Sequence, residues 1–136
     1  MTRIAVVLAV TGTLLAGADS KPNFSGRWEL QPKDSESAPD EKAKPRVIEV
    51  IKHEEPVLVI DRTIKRENGD MRDVVKLRTD GVAVENLLGN GAVKSTSRWE
   101  GNKLITDGEM EGAPPLREIR EMDNQGRMIV TMDYKS

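Results

Sequence analysis

Apolar and polar residues alternate with a period of two along most of the chain after position 45. In the stretch 58–65, for example, Leu58, Ile60 and Ile64 fall on one side and Asp61, Thr63 and Lys65 on the other. This period is typical of β-strands with one buried face, because successive side chains of a strand point to opposite sides of a sheet. The pattern predicts strands at 24–30, 46–52, 57–66, 71–79, 82–87, 92–100, 103–110, 116–122 and 127–134.

Turn-forming residues separate these segments about every ten to twelve residues, as at Asn68-Gly69, Asp80-Gly81 and Gly101-Asn102. This spacing is typical of an all-β sandwich or barrel, and the short connections favour antiparallel hairpins between consecutive strands. A meander of about eight or nine strands loses its two exposed edges when it closes. We therefore expect an all-β fold, an antiparallel up-and-down meander that closes into an 8–9-stranded barrel.

The N-terminus has the parts of a secretory signal. Arg3 supplies a positive charge, an apolar run extends from Ile4 to Leu15, and residues 16–18 (AGA) have the small-residue spacing at which signal peptides are cut. A membrane anchor is the alternative, but the run is shorter than the roughly 20 residues that span a bilayer. We expect residues 1–18 to be a signal peptide cleaved after Ala18. Residues 19–136 then form one periplasmic or secreted domain without a membrane span.

Composition excludes several functional classes. The 136 residues include no cysteine and one histidine, which excludes disulfides, thiol catalysis and Cys/His zinc sites. With 21 Lys and Arg against 23 Asp and Glu, the formal net charge is −2, so no strong positive field exists to hold nucleic acid. No nucleotide-binding motif is present, and we expect no cofactor. The composition indicates no particular oligomeric state.

The segment 23–30 has the sequence NFSGRWEL. It resembles the opening of lipocalins and related calycin barrels, whose first strand carries Gly-x-Trp and precedes a long loop at the barrel mouth. It is also similar to small secreted bacterial domains with an FSGxWxL opening and a later Trp-x-Gly-Asn/Asp-x-Leu hairpin, matched here by WEGNKL at 99–104. The resemblance implies a lipocalin-like barrel that binds a small apolar or amphipathic ligand in its interior, with the polar segment 31–45 as a lid. In lipocalins the first Trp packs against a distant arginine, for which the candidates are Arg117, Arg120 and Arg127.

The register of the last hairpin decides which side chains face the interior. With Asp123 opposite Arg127, the inward side chains are Glu118, Arg120, Met122, Met128, Val130 and Met132. A shift of one residue turns Glu118, Arg120 and Met122 outward and places Arg117, Ile119 and Glu121 inward instead. An arginine faces inward in either register, and methionines suit an adaptable apolar cavity. We predict that the ligand contacts Trp28, Trp99, Arg120, Met128, Met132 and Tyr134.

Two other functions fit the same residues. Small barrels are often filled by their own side chains, and such a barrel would be an interaction or structural module that binds a protein or glycan through its charged rim. A hydrolase or isomerase would need inward carboxylates. Asp107, Glu109 and Glu111 share a strand face that suits a calcium ion or an acid–base pair, or else a solvated surface. His53 lies in a polar turn without a catalytic triad, so we expect it to be exposed and expect no enzyme.

Overall fold

The computed structural model describes residues 2–11, 21–33, 46–89 and 91–134. Most of the predicted lid, residues 34–45, lies outside them. The described residues form ten strands: β1 (Thr2–Thr11), β2 (Gly26–Lys33), β3 (Arg46–Glu54), β4 (Val57–Lys65), β5 (Met71–Arg78), β6 (Val84–Leu88), β7 (Gly91–Glu100), β8 (Lys103–Met110), β9 (Leu116–Met122) and β10 (Met128–Tyr134). The nine predicted strands, now β2 to β10, are confirmed, with ends shifted by no more than three residues.

The strands follow one another in chain order, and all paired neighbours are antiparallel. Ladders join β2 to β5 as a run of four strands and β6 to β10 as a run of five, while β1 pairs with both β2 and β10. The first and last strands are therefore neighbours. Between β5 and β6, the described residues form no backbone ladder, so the fold is an all-β antiparallel meander, and the predicted closed barrel is not found.

Strand β1 coincides with the apolar run that the sequence predicts to be a signal peptide. Its backbone pairs with β10 from Thr2 opposite Tyr134 to Leu8 opposite Met128, and it pairs with β2 along the other edge. Since β1 is antiparallel to both neighbours, β2 and β10 run parallel to each other on its two sides. Cleavage after Ala18 stays a prediction, and it would remove a backbone partner from both β2 and β10.

A side chain joins the two edge strands β5 and β6. The amide of Asn86 on β6 accepts a hydrogen bond from the N–H of Lys76 at 2.8 Å and donates one to the C=O of Lys76 at 2.9 Å. The connection between the two strands is held to β7, because the N–H of Gly81 donates to the C=O of Ser97 at 2.9 Å. The edges therefore lie close together although no ladder joins them.

The core lies between the two runs of strands, and both contribute to it. Its buried members are Phe24, Trp28, Leu30, Ile51, Leu58, Ile60, Leu77, Leu104, Met128 and Val130. The indole Nε1 of Trp28 donates to the C=O of Phe24 at 2.8 Å, which satisfies the polar atom of the largest buried side chain. None of the described residues belongs to a helix long and apolar enough to cross a bilayer.

Candidate functional site

A cavity of about 110 Å³ that is partly open to solvent is lined by the six strands β4 to β9. Five of these strands, β4 to β7 and β9, supply the apolar wall residues Ile60, Val75, Leu77, Leu88, Val93 and Leu116. Strand β8 contributes Thr106 and Gly108. The volume is of the same order as that of a dry engineered cavity, roughly 150 Å³, that binds benzene. The cavity can therefore hold a small molecule with an apolar body.

Two small residues opposite each other help to create this space. Ser95 on β7 pairs with Gly108 on β8, and both line the cavity. A Cβ at Gly108 would lie 3.6 Å from Cγ1 of Val93 and 3.9 Å from the carbonyl oxygen of Leu116, which are also wall residues. The missing side chain of Gly108 thus leaves room that a larger residue would occupy.

The wall contains one buried hydroxyl without a partner. Ser95 is 5% exposed, and its Oγ makes no hydrogen bond within the described part of the chain. The neighbouring hydroxyl of Thr106 is already paired with that of Ser97 at 2.8 Å, and the Asn86 amide is used by Lys76. Because buried polar groups are normally hydrogen-bonded, the Ser95 hydroxyl marks a point where a ligand can bind.

Four charged side chains form a chain of ion pairs beside the cavity. Arg62 Nε donates to Oε2 of Glu49 at 2.9 Å, and Arg62 Nη2 lies 2.8 Å from the same oxygen. Arg120 Nη1 donates to the other oxygen of Glu49 at 2.9 Å, and Arg120 Nη2 donates to Oε1 of Glu118 at 2.7 Å. The order is therefore Arg62, Glu49, Arg120, Glu118, and we call this set the ionic chain. Its two end members line the cavity.

The inner members of the ionic chain are buried and remain charged. Burial alone would raise the pKa of Glu49, but the guanidinium groups of Arg120 and Arg62 outweigh it and hold that pKa below its ordinary value. Burial would lower the pKa of Arg120, whereas the carboxylates of Glu49 and Glu118 raise it above its ordinary value. Each charge thus compensates its neighbour in a region where an unpaired ion would be costly.

A second cluster lies where β3 and β7 end, and we call it the aromatic stack: Phe24, His53 and Trp99. Their rings stack with centroids 5.7 to 6.1 Å apart. The N–H of Phe24 donates to His53 Nδ1 at 3.1 Å, and His53 Nε2 lies 3.2 Å from Oε2 of Glu55. Because Nδ1 accepts a hydrogen bond, the hydrogen of a neutral His53 ring is on Nε2 and faces this carboxylate.

The prediction that His53 is exposed is wrong, because its side chain is buried under the segment 23–25. A hydrogen bond joins that segment to β3, since Ser25 Oγ accepts from the N–H of His53 at 2.8 Å. Burial raises the pKa of Glu55, but hydrogen bonds from Thr79, His53 and Trp99 outweigh it and lower that pKa. Trp99 Nε1 donates to Oε1 of Glu55 at 2.6 Å, and the N–H of Phe24 occupies His53 Nδ1, so the contacts of the aromatic stack join the segment before β2 to β3, β7 and Glu55.

The register of the last hairpin is the one with Asp123 opposite Arg127. The N–H of Asp123 donates to the C=O of Arg127 at 2.8 Å, and Val130 pairs with Arg120. Arg120 is consequently the inward arginine. Of the other two candidates, Arg117 binds Asp107 and Arg127 binds Asp123.

The six predicted ligand contacts occupy different parts of the fold. Trp28 and Met128 are in the core, Met132 packs against it, Trp99 is in the aromatic stack, Arg120 is in the ionic chain, and Tyr134 is half-buried at the end of β10. All six belong to the described residues, and none lines the cavity itself. Arg120 reaches it indirectly through Glu118. Ligand contact by these six residues stays a prediction.

The alternation of the sequence also contains a signal for Glu49 and Arg62. Glu49 lies two residues from both Val47 and Ile51, and Arg62 lies between Ile60 and Ile64 with the same spacing. Alternation therefore assigns both charged residues to the core-facing side of their strands. An ionisable residue in such a position needs a buried partner.

The predicted carboxylate row does not form a joint site. Asp107 binds Arg117 and Arg98, and the hydrogen bond from Arg117 is the main cause that lowers its pKa. Glu109 and Glu111 are exposed. The part of the chain that the structure describes contains no group of three His, Cys, Asp or Glu residues placed to hold a metal ion.

No family model matches the chain, and no curated protein matches it in sequence. Its function therefore has to be inferred from the cavity, the ionic chain and the signals in the sequence.

Proposed function

We propose that this chain is an exported, lipocalin-like protein that binds a small apolar or amphipathic molecule inside a β-barrel. The observation that carries the proposal is the cavity of about 110 Å³, whose wall is mainly apolar and contains the unpaired hydroxyl of Ser95. Binding sites for small molecules commonly combine apolar walls with a few polar groups that orient the ligand. This cavity has both features.

The arrangement of the strands supports the barrel. Before cleavage, β1 pairs with both β2 and β10 and so joins the two runs of strands, and the Asn86 side chain replaces part of the missing ladder between β5 and β6. We propose that the meander encloses its interior in this way, with a side chain in place of one seam of backbone bonds. After cleavage at Ala18, pairing of the parallel strands β2 and β10 would be needed to keep the enclosure.

The size of the cavity restricts the ligand. Pockets for drug-sized ligands have volumes of roughly 300–1,000 Å³, so a cavity of about 110 Å³ suits a single ring or a short chain. A long-chain lipid would extend well beyond it. The proposed ligand is therefore of about the size of toluene.

Export to the periplasm or the exterior is part of the proposal. It rests on the charged start, apolar run and small-residue site of residues 1–18. The absence of cysteine from all 136 residues means that packing and hydrogen bonds alone hold the exported fold.

We favour a binding protein over an enzyme. A general acid built from a buried carboxyl needs a raised pKa, whereas two arginines lower that of Glu49. The cavity likewise favours ligand binding over the alternative of a filled barrel that acts as an interaction module.

Isothermal titration calorimetry of the purified chain tests this function. Toluene and cyclohexane serve as ring-sized probes, and palmitate serves as a probe that is too long for the cavity. We expect one saturable site for the ring-sized probes and a clear preference for them over palmitate. Absence of saturable binding by either ring-sized probe would contradict the proposal.

A further inference from the structure

We infer that the ligand carries an uncharged head group that both donates and accepts hydrogen bonds, such as a hydroxyl or a carboxamide. The inference rests on the proposed function and specifies the chemistry of its ligand. Three observations support it: the balance of charge in the ionic chain, the unused hydrogen-bonding atoms at its ends, and the Ser95 hydroxyl.

The ionic chain is neutral as a unit because it contains two arginines and two glutamates. Its inner members are almost fully buried, with Glu49 and Arg120 each 1% exposed, and all four side chains are joined by short hydrogen bonds. The four charges of the ionic chain therefore already compensate one another. No charge in this set is left over for an ionised ligand to neutralise.

A charged head group would disturb this balance at either end of the ionic chain. A carboxylate would be attracted to Arg62 but repelled by Glu118, and an ammonium group would meet the reverse arrangement. Either ion would also lose its hydration in a mainly apolar cavity, and that cost is recovered only by a compensating charge. The site thus discriminates against both signs of charge.

Hydrogen-bonding capacity of both kinds remains at the cavity. Within the described residues, the contacts of Arg62 with Glu49 use Nε and Nη2 and leave Nη1 as a donor, while the hydrogen bond from Arg120 uses Oε1 of Glu118 and leaves Oε2 as an acceptor. The Ser95 hydroxyl can act in either way. A hydroxyl or a carboxamide can use a donor and an acceptor together, which a purely apolar molecule cannot.

The first experiment compares four probes that share one aromatic ring: toluene, benzyl alcohol, benzoate and benzylammonium. Affinities for the purified chain are measured by calorimetry at neutral pH, where the last two are ionised. One net hydrogen bond corresponds to about a fivefold gain in affinity. We expect benzyl alcohol to bind about fivefold more tightly than toluene, and both ions to bind more weakly than toluene by about tenfold or more.

Charge substitutions at the two ends of the ionic chain test the balance directly. Glu118→Gln leaves the set with one excess positive charge, so benzoate should gain about tenfold in affinity while benzylammonium does not. Arg62→Gln leaves one excess negative charge and should favour benzylammonium instead. Glutamine keeps the size of Glu118, is shorter than Arg62 and can hydrogen-bond at both positions, and circular dichroism checks that each variant is folded.

Two buried hydroxyl residues provide a matched pair. Ser95→Ala should remove the preference for benzyl alcohol over toluene while leaving the affinity for toluene unchanged. Thr79→Val is the control, because Thr79 is also buried, does not line the cavity and donates its hydroxyl to Glu55. This variant should keep the preference.

The outcomes separate this inference from the proposed function. If no probe binds, including toluene, both are overturned. If toluene binds but benzoate or benzylammonium binds as tightly as benzyl alcohol, only the inference about the head group is overturned. The same holds if Glu118→Gln and Arg62→Gln fail to shift the two ions in opposite directions.

Discussion

The side chain of Asn86 forms two hydrogen bonds with the backbone of Lys76, one to its N–H and one to its C=O. A neighbouring strand would offer the same pair of groups, so the amide acts as a short substitute for a ladder. It does so between β5 and β6, the two edge strands that no backbone ladder joins within the described residues, and we call this gap the seam. Asn86 also lines the cavity, which links the integrity of this seam to the proposed binding site.

Replacing Asn86 by alanine should open the seam. We expect the free energy of unfolding to fall by about 2 kcal/mol, since two hydrogen bonds are lost and two backbone groups lose their partners. Hydrogen exchange of the Lys76 amide should become faster. Asn102→Ala, in the exposed β7–β8 turn, is the control and should change stability by less than about 0.5 kcal/mol. Unchanged protection of Lys76 in Asn86→Ala would show that the amide does not hold the seam.

The ionic chain should be sensitive to the loss of its central carboxylate. Glu49→Gln leaves Arg120 and Arg62 without full compensation, and removal of one partner from a buried ion pair typically costs about 3–5 kcal/mol. Glutamine can still accept hydrogen bonds, so we expect the lower end of that range in urea unfolding. The matched control is Glu29→Gln, which breaks an exposed pair with Arg46 and should cost less than about 1 kcal/mol. Equal effects of the two substitutions would contradict the role assigned to Glu49.

Acid should destabilise the protein through the same carboxylate. The pKa of Glu49 in the fold is below its ordinary value of 4.5, so the unfolded chain binds its proton more readily. Stability from this group is fully present above about pH 4.5 and is lost as the pH falls through the lower pKa of the folded state. Urea unfolding from neutral pH to about pH 3 should show a decline that is shallower in Glu49→Gln. Identical declines in both proteins would exclude this cause.

Filling the cavity from Gly108 should block the ligand without unfolding the protein. Gly108→Ala places a methyl group at ordinary contact distance, 3.6 Å from Val93 Cγ1, and should weaken toluene binding. Gly108→Val adds two more carbon atoms and should abolish it. Gly89→Ala is the control, because a Cβ at that position meets nothing within 4 Å. Calorimetry measures binding, and undiminished affinity in Gly108→Val would place the binding site elsewhere.

The strands could be predicted because the period of two and the turn residues are local properties of the sequence. The register of β9 and β10 could not be decided in this way, since a shift of one residue gives an equally regular pattern. It depends on the turn, where the backbone N–H groups of Gln125 and Arg127 both donate to Oδ1 of Asp123. That local geometry is what turns Arg120 inward.

The candidate site was much less predictable, because its members are brought together from distant strands. Glu49 and Arg120 are 71 residues apart in the chain. The polar neighbours of His53 predict an exposed turn, whereas its burial depends on Phe24, which is 29 residues away. The cavity depends on a glycine and a serine on adjacent strands, and neither residue is distinctive in the sequence.

Methyl-resolved NMR during a toluene titration tests the central claim most directly, since it shows where the ligand binds. Binding inside the cavity predicts saturable shifts at the methyl groups of Val93 and Leu116, which line it, and little change at the exposed residues Val50 and Val82. Shifts confined to the exposed valines, or no saturable shift at the wall residues, would contradict a binding site in the interior.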